Sequence, residues 1–199
     1  MGQRQEKDPT RSTGRDAEAT RRRILDAATE EFSAKGLAGG RIATIAERAQ
    51  SNQRMIYAYY GNKDGLFDAV LEHHILAAQN AVALDATDLP GYAQQVFDVY
   101  RSNPYFVRLM LWQFLERPDL TRSLPGVGRA VADKVAAIEA AQAAGMVSAQ
   151  LPADRLLDHI LALTLGNIAG NPCAWSDDER QALGHSVALL TDPAPFQRT

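Results

Sequence analysis

Residues 45–66 read IAERAQSNQRMIYAYYGNKDGL, and the fold follows from how this stretch divides. Ile45, Ala46 and Ala49 repeat at the spacing of one buried helical face. With Ile42 they define a short helix over Arg41–Ala49, which Gln50-Ser51 interrupts. Asn52 is placed to cap a second short helix reaching about Tyr59, because an Asn side chain accepts a hydrogen bond from the exposed first-turn N–H groups. In that helix Ile56 and Tyr60 share the inward face with Ala49. Gln53, Arg54, Met55, Tyr57 and Tyr59 are left facing outward. Gly61-Asn62 stops it, and Asn62 can cap a long helix from Lys63 to about Leu84.

Upstream, Ile24, Leu25, Ala28 and Phe32 form the apolar stripe of a helix that starts near Asp16 and ends at Gly36, a C′ position. Residues 1–15 carry no apolar period and are expected to be a disordered basic tail. Three helices, the last two short and joined by a tight turn, are the ingredients of a helix-turn-helix module over 16–62. Downstream, Pro90, Pro104 and Pro152 mark first turns, and Pro118 ends the helix that begins at Pro104. Helices of about 126–144, 153–170 and 177–191 complete a helical body over 63–199. The fold class is all-α, with about nine helices and no alternating run that reads as a strand.

The chain has 199 residues, 46% hydrophobic and 23% charged, which is globular composition. Its net charge of −3 hides an asymmetry, +3 over residues 1–66 and −6 over 67–199. A basic end on an acidic body suits a polyanionic partner, although a basic tail with chance clustering would give the same figure. Cys173 is a lone cysteine beside no base, Glu72-His73-His74 lacks the spacing of a zinc hydrolase, and no paired Cys/His spacing suggests a metal. No cofactor is expected, and nothing reads as an active site. The polar residues after Met1 and the helix-and-turn character of the charge-free run 159–176 lead us to expect a cytoplasmic protein.

The segment 45–66 resembles the signature of the TetR family of transcriptional regulators. Ile45, Ala46, Ala49, Ile56, Tyr57, Tyr59, Tyr60, Asn62, Lys63, Asp64 and Leu66 fall in register with it. Arg21, Ile24, Leu25, Asp26, Ala27, Ala28, Phe32 and Gly36 match the pattern of that family's first helix. The resemblance covers about residues 17–70. It implies that Tyr57, Tyr59 and Lys63 touch the DNA backbone, and that Gln53, Arg54 and Met55 read bases. The chemistry of the side chains agrees, since Gln pairs with adenine, Arg with guanine, and Met packs on a thymine methyl. One or two of Arg21-Arg22-Arg23 could reach a flanking phosphate, but three consecutive helical residues point in three directions.

The chain also departs from the family pattern. Gln50-Ser51 replaces a glycine and an apolar residue, which is awkward if the turn requires positive φ or if Ser51 is buried without a partner. Gly40-Arg41 replaces the usual Thr or Ser at the start of the second helix, and Arg41 could restore the lost backbone contact. A degenerate reading head on a helical small-molecule-binding protein therefore stands as the alternative.

Leu156, Leu157, Ile160, Leu161, Leu163, Leu165 and Ile168 surround most of the 153–170 helix, and Ala182, Leu183, Val187, Leu189 and Leu190 stripe the 177–191 helix. Core packing would explain both. The resemblance implies instead a homodimer through these two helices, as an inverted-repeat operator requires. Gly166, Gly170 and Gly184 weaken helices unless close approach is useful. His73, Phe97, Tyr100, Phe106, Met110 and Trp112 are ordinary core candidates singly. The resemblance makes their region an effector pocket for an apolar or aromatic small molecule with one or two polar handles. It further implies a repressor released when that molecule displaces the 63–84 helix.

Overall fold

The computed structural model describes residues 9–118, 124–169 and 175–194, and among them nine helices and no strand. These are α1 (Pro9–Gly39), α2 (Ile42–Arg48), α3 (Gln53–Tyr60), α4 (Lys63–Ala81), α5 (Leu89–Ser102), α6 (Pro104–Glu116), α7 (Pro125–Ala143), α8 (Ala153–Ala169) and α9 (Asp177–Thr191). The chain divides after Val70 into two compact units, rather than before Lys63. The reason is burial: Leu66, Phe67 and Val70 of α4 are wholly inaccessible, and the Phe67 ring meets Phe32 of α1 edge-on at 5.3 Å.

In the first unit α1 packs on α2 and α2 on α3. Ile24, Phe32, Ile45 and Ile56 are fully buried, as their spacing requires. Helix α1 begins at Pro9, not near Asp16, so the expected disordered tail gives way to helix over 9–15; proline is favoured in a first turn, where its missing N–H costs nothing. Residues 1–8 lie outside the described residues. Gly36 adopts φ 70° with ψ −178°, a positive-φ conformation that favours glycine, and breaks the helix there before one further turn. Gly40 allows a close approach, since a Cβ on it would stand 2.6 Å from the Phe32 ring.

In the second unit α5 packs against α8 and α9, α7 against α8, and α6 against α5 and α8. Two side-chain caps form here. Asp88 starts α5 by accepting from Gly91 N, and Ser176 starts α9 by accepting from Glu179 N, with three acidic residues in its first turn. Pro152 sits one residue ahead of α8 rather than in its first turn, and its carbonyl accepts the first intrahelical bond, from Leu156 N. Asp98 of α5 holds Arg101 and Arg180 at 3.0 and 2.9 Å, and Arg101 also grips Asp177 at 2.8 Å, tying α5 to α9. Helix α4 ends at Ala81, three residues short of Leu84. Cys173 and Gly170 lie outside the described residues.

Candidate functional site

The loop between α2 and α3 is a Schellman turn built without glycine. Ser51 N–H donates to Ala46 O and Gln50 N–H to Glu47 O, at 2.9 and 3.1 Å, which satisfies the last carbonyls of α2. This geometry places Gln50 at φ 48°, where L side chains are strained. Ser51 Oγ is buried and has no hydrogen-bond partner among the described residues. Both departures from the family pattern are thus accommodated in place, each with its own unfavourable contribution. The carbonyl of Ala49 receives Arg23 Nε at 3.2 Å, so Arg23 closes the turn.

Asn52 Oδ1 accepts Met55 N at 2.9 Å and Asn62 Oδ1 accepts Gly65 N at 2.7 Å, capping α3 and α4 as their sequences predict. The start of α2 is held differently. Arg41 makes no side-chain cap, and its N–H donates to Glu31 Oε1 of α1 at 3.2 Å. Glu31 is almost wholly buried and also receives Lys35 Nζ at 2.9 Å, with Arg48 at 3.6 Å from its other oxygen. Burial disfavours the charged carboxylate. Lys35, the Arg41 N–H and the Arg48 guanidinium outweigh it and hold the carboxyl below its ordinary value. Sequence reading missed Glu31; an acidic residue beside Phe32, on the otherwise apolar face of α1, was the available signal.

Helix α3 buries Ile56 and leaves Gln53, Arg54 and Tyr57 exposed. Met55, Tyr59 and Tyr60 are half-buried. Arg21 lies over the Tyr59 ring at 4.8 Å, and Tyr60 Oη donates to Arg21 O at 3.3 Å. Lys63 Nζ donates to Ala38 O at 3.0 Å, which fixes the ammonium at the first turn of α4, next to the exposed Asn62. Arg41 and Arg22 are exposed. The outward row Gln53, Arg54, Tyr57, with Tyr59 and Lys63 beside it, offers amide, guanidinium, hydroxyl and ammonium donors. Such a set can bond base edges and phosphates.

The second unit encloses a partly open cavity of about 110 Å³. Ile75, Ala78 and Gln79 of α4, with Val82 just beyond its end, wall one side, and Tyr100, Phe106 and Met110 stand among the apolar lining of α5 and α6. Three of the six residues singled out in the sequence therefore meet here, with Tyr100 edge-on to Phe106 at 5.6 Å. The other three do not line it. Phe97 is fully buried in the packing of α5 with Arg101 over its ring, Trp112 is half-buried on α6, and His73 is exposed. His74, half-buried and outside the lining, is the histidine that turns inward, stacked on Phe106 at 6.0 Å. Adjacent helical residues point about 100° apart, so only one of the two histidines can do this.

The polar groups of the cavity are Gln79, Tyr92, Tyr100 and Lys134. Lys134 Nζ donates to Tyr92 Oη at 3.0 Å. Burial pushes the Tyr92 phenol up to about 12 and the Tyr100 phenol higher still, and it lowers Lys134. Lys134 was legible in principle, since Val127, Val131 and Lys134 share one face of α7 at i, i+4, i+7.

On α8 and α9 an apolar surface is left uncovered. Leu163 and Leu190 are over a third exposed and Leu189 is 75% exposed. His159, Ala162, Leu163, Gly166 and Leu190 line a shallow groove, and a Cβ on Gly166 would meet nothing. Gly184, by contrast, packs inward on α5, where a Cβ would crowd Gln94. Leu156, Leu157, Ile160 and Leu165 are buried within the unit, so the apolar girth of α8 divides between core and surface. No group of three metal-ligating side chains occurs among the described residues, and no helix there is long and apolar enough to cross a membrane.

Residues 24–70 match the family model described as "Bacterial regulatory proteins, tetR family", and residues 88–188 match "Tetracyclin repressor-like, C-terminal domain". The HTH-type transcriptional repressor SCO4008 of Streptomyces coelicolor is 39% identical over 152 residues, covering 75% of this chain and 78% of that protein. The HTH-type transcriptional repressor NicS of Pseudomonas putida is 37% identical over 151 residues, covering 69% and 71%. Among solved structures, that of the S. coelicolor protein SCO4942 superposes with a TM-score of 0.73 at 30% identity, covering 88% of this chain and 99% of that one. The fold is shared with FadR of Bacillus subtilis, solved in complex with stearoyl-CoA, at a TM-score of 0.66, 16% identity and coverage of 84% and 96%.

Proposed function

The chain belongs to the TetR family of helix-turn-helix transcriptional regulators, whose members bind DNA and dimerise, and on that premise we propose that it is a homodimeric repressor of an inverted-repeat operator, released by a small molecule. The observation that carries the proposal is the exposed row on α3. Gln53 and Arg54 project from a helix whose cap and preceding turn are both hydrogen-bonded in place. In this reading Gln53, Arg54 and Met55 meet base edges, while Tyr57, Tyr59, Lys63 and Arg41 meet phosphates. Arg23, committed to Ala49, stays structural, and Arg22 is the member of the arginine triplet left for a phosphate.

The dimer forms through the outward faces of α8 and α9, where Leu163, Leu189 and Leu190 surround the open backbone at Gly166. A two-fold pairing of this face buries side chains that a monomer leaves in water. The 110 Å³ cavity is the effector site. Tyr100, Phe106 and Met110 remain in the proposed lining; His73, Phe97 and Trp112 leave it. Stearoyl-CoA, the ligand of the B. subtilis relative, far exceeds this volume, which favours a compact molecule here. Helix α4 starts among the buried residues of the first unit and presents Ile75 and Gln79 to the cavity, so it is the proposed carrier of the signal. Release needs a ligand affinity that differs between the two states by about 1–3 kcal/mol.

Operator binding followed by fluorescence anisotropy tests this reading. Arg54→Ala relaxes the preference at one base pair of each half-site, whereas Tyr57→Phe weakens binding to every sequence alike. If neither variant alters affinity, the docking through α3 is wrong.

A further inference from the structure

The cavity is apolar except for Gln79, Tyr92, Tyr100 and Lys134, and two of these are incompletely satisfied. Gln79 Oε1 is buried and accepts no hydrogen bond among the described residues. The Lys134 ammonium has three N–H donors, and among the described residues its one hydrogen bond is to Tyr92 Oη, a neutral hydroxyl; it also lies over the face of the Tyr92 ring, 5.0 Å away. Among the described residues no carboxylate lies within ion-pair distance of it. A half-buried cation that meets only a phenol is incompletely compensated, and an anion delivered by a ligand supplies what the protein withholds. Burial already weakens its hold on a proton, as expected for a cation short of counter-charge.

Size narrows the class. An apolar cavity of about 150 Å³ accepts benzene. This one, at about 110 Å³ and partly open, sets a single six-membered ring or a branched chain of like size as the upper bound for the enclosed part. The Gln79 carbonyl asks for a donor on the same molecule.

We propose that the cavity selects compact organic acids, an apolar single-ring or branched body whose carboxylate pairs with Lys134 and whose hydroxyl or amino group donates to Gln79. The inference rests on the proposed role of this cavity as the effector site and specifies the chemistry it takes. Tyr92 is then a positioning residue: its hydroxyl oxygen accepts a hydrogen bond from one ammonium N–H and aims the other two. Neutral molecules of the same shape leave Lys134 without a counter-charge, and cationic ones repel it.

The test uses the full-length dimer without DNA and isothermal titration calorimetry with four probes: the hydroxybenzoates, benzoate, benzamide and benzylamine. The expected order is hydroxybenzoate tightest in at least one isomer, benzoate next, benzamide at least tenfold weaker than benzoate, and benzylamine silent. Lys134→Met, checked for folding by circular dichroism, removes the preference for benzoate over benzamide. Gln79→Leu removes the preference for hydroxybenzoate over benzoate and keeps the acid preference. Benzamide or benzylamine binding as tightly as benzoate overturns the inference, as does a Lys134→Met protein with unchanged benzoate affinity, or no binding of any acid by protein that still binds its operator. An acid that binds and leaves operator affinity unchanged would sink the effector reading alone, with the acid preference standing.

Discussion

The turn between α2 and α3 allows the sharpest quantitative prediction, because two consecutive residues there each oppose folding by a separate mechanism. Gln50 is held at φ 48°, and a left-handed conformation costs an L residue about 1–2 kcal/mol. Gln50→Gly removes that strain but adds freedom to the unfolded chain, which returns about 0.5–1 kcal/mol. The net gain is about 0.5–1 kcal/mol. Ser51→Ala removes a buried hydroxyl with no partner among the described residues, and the lower end of the ~1–3 kcal/mol desolvation range applies because alanine leaves a small space. The Ser51 N–H bond to Ala46, which is backbone, survives the change. Together the pair stabilises by about 1.5–2 kcal/mol, with some departure from additivity since the residues are neighbours. For a chain of this length that raises the melting temperature by about 3–8 °C. The assay is thermal unfolding followed by far-ultraviolet circular dichroism at fixed protein concentration. Gln50→Ala serves as the control, since it keeps the Cβ and the strain and so gains nothing. Gln50→Gly and Gln50→Ala melting at the same temperature would refute the backbone argument. Ser51→Ala melting lower than the parent would show that the hydroxyl is satisfied.

Further outcomes follow from the same geometry. Glu31→Gln should cost about 1–2 kcal/mol at pH 7, because a neutral amide cannot match a carboxylate facing Lys35, Arg41 N–H and Arg48. Its folded-state affinity for a proton is depressed, so this contribution is present above the unfolded value near pH ~4.3 and is lost as pH falls through the lower folded value. Urea midpoints of parent and variant should therefore converge in acid; a gap that stays constant down to pH ~3 would contradict the assignment. Lys63→Ala should weaken binding to all DNA sequences and reduce the slope of affinity against salt by about 1, read by anisotropy at several salt concentrations. Leu189→Asp should convert the dimer to a folded monomer with weakened operator binding, measured by light scattering after size exclusion; a variant that stays dimeric moves the interface off this face.

Much of the fold was legible because short polar residues sit where backbone donors need them. Asn52 and Asn62 announce two helix starts, and each accepts the expected hydrogen bond; Asp88 and Ser176 cap α5 and α9 in the same way, although neither was singled out from the sequence. Gly36 announced a stop and supplies it at positive φ. The start of α1 was not legible, since a polar first turn before an apolar stripe reads alike as tail or as helix. Division of the chain after Val70 was hidden for another reason: α4 carries one apolar pattern that serves two cores in succession. The proposed reading row on α3 is a surface property of eight residues and could be placed from spacing alone. The cavity could not, because α4, α5, α6, α7 and α8 all contribute to it from distant parts of the chain. Aromatic content found Tyr100 and Phe106, with Met110 added beside them, but it also favoured Phe97 and Trp112, which pack elsewhere. Gln79 and Lys134 carry the polar chemistry from helices whose composition draws no notice.

Operator reading by α3 is tested most directly by selection of bound fragments from the source genome with the purified protein at about 0.15 M salt, near physiological screening. The expected result is enrichment of one inverted repeat whose half-sites lose their preference at a single base pair in Arg54→Ala. Recovery of only random fragments, released uniformly as salt rises, would contradict it and leave a helical ligand-binding protein with a reading head that no longer reads.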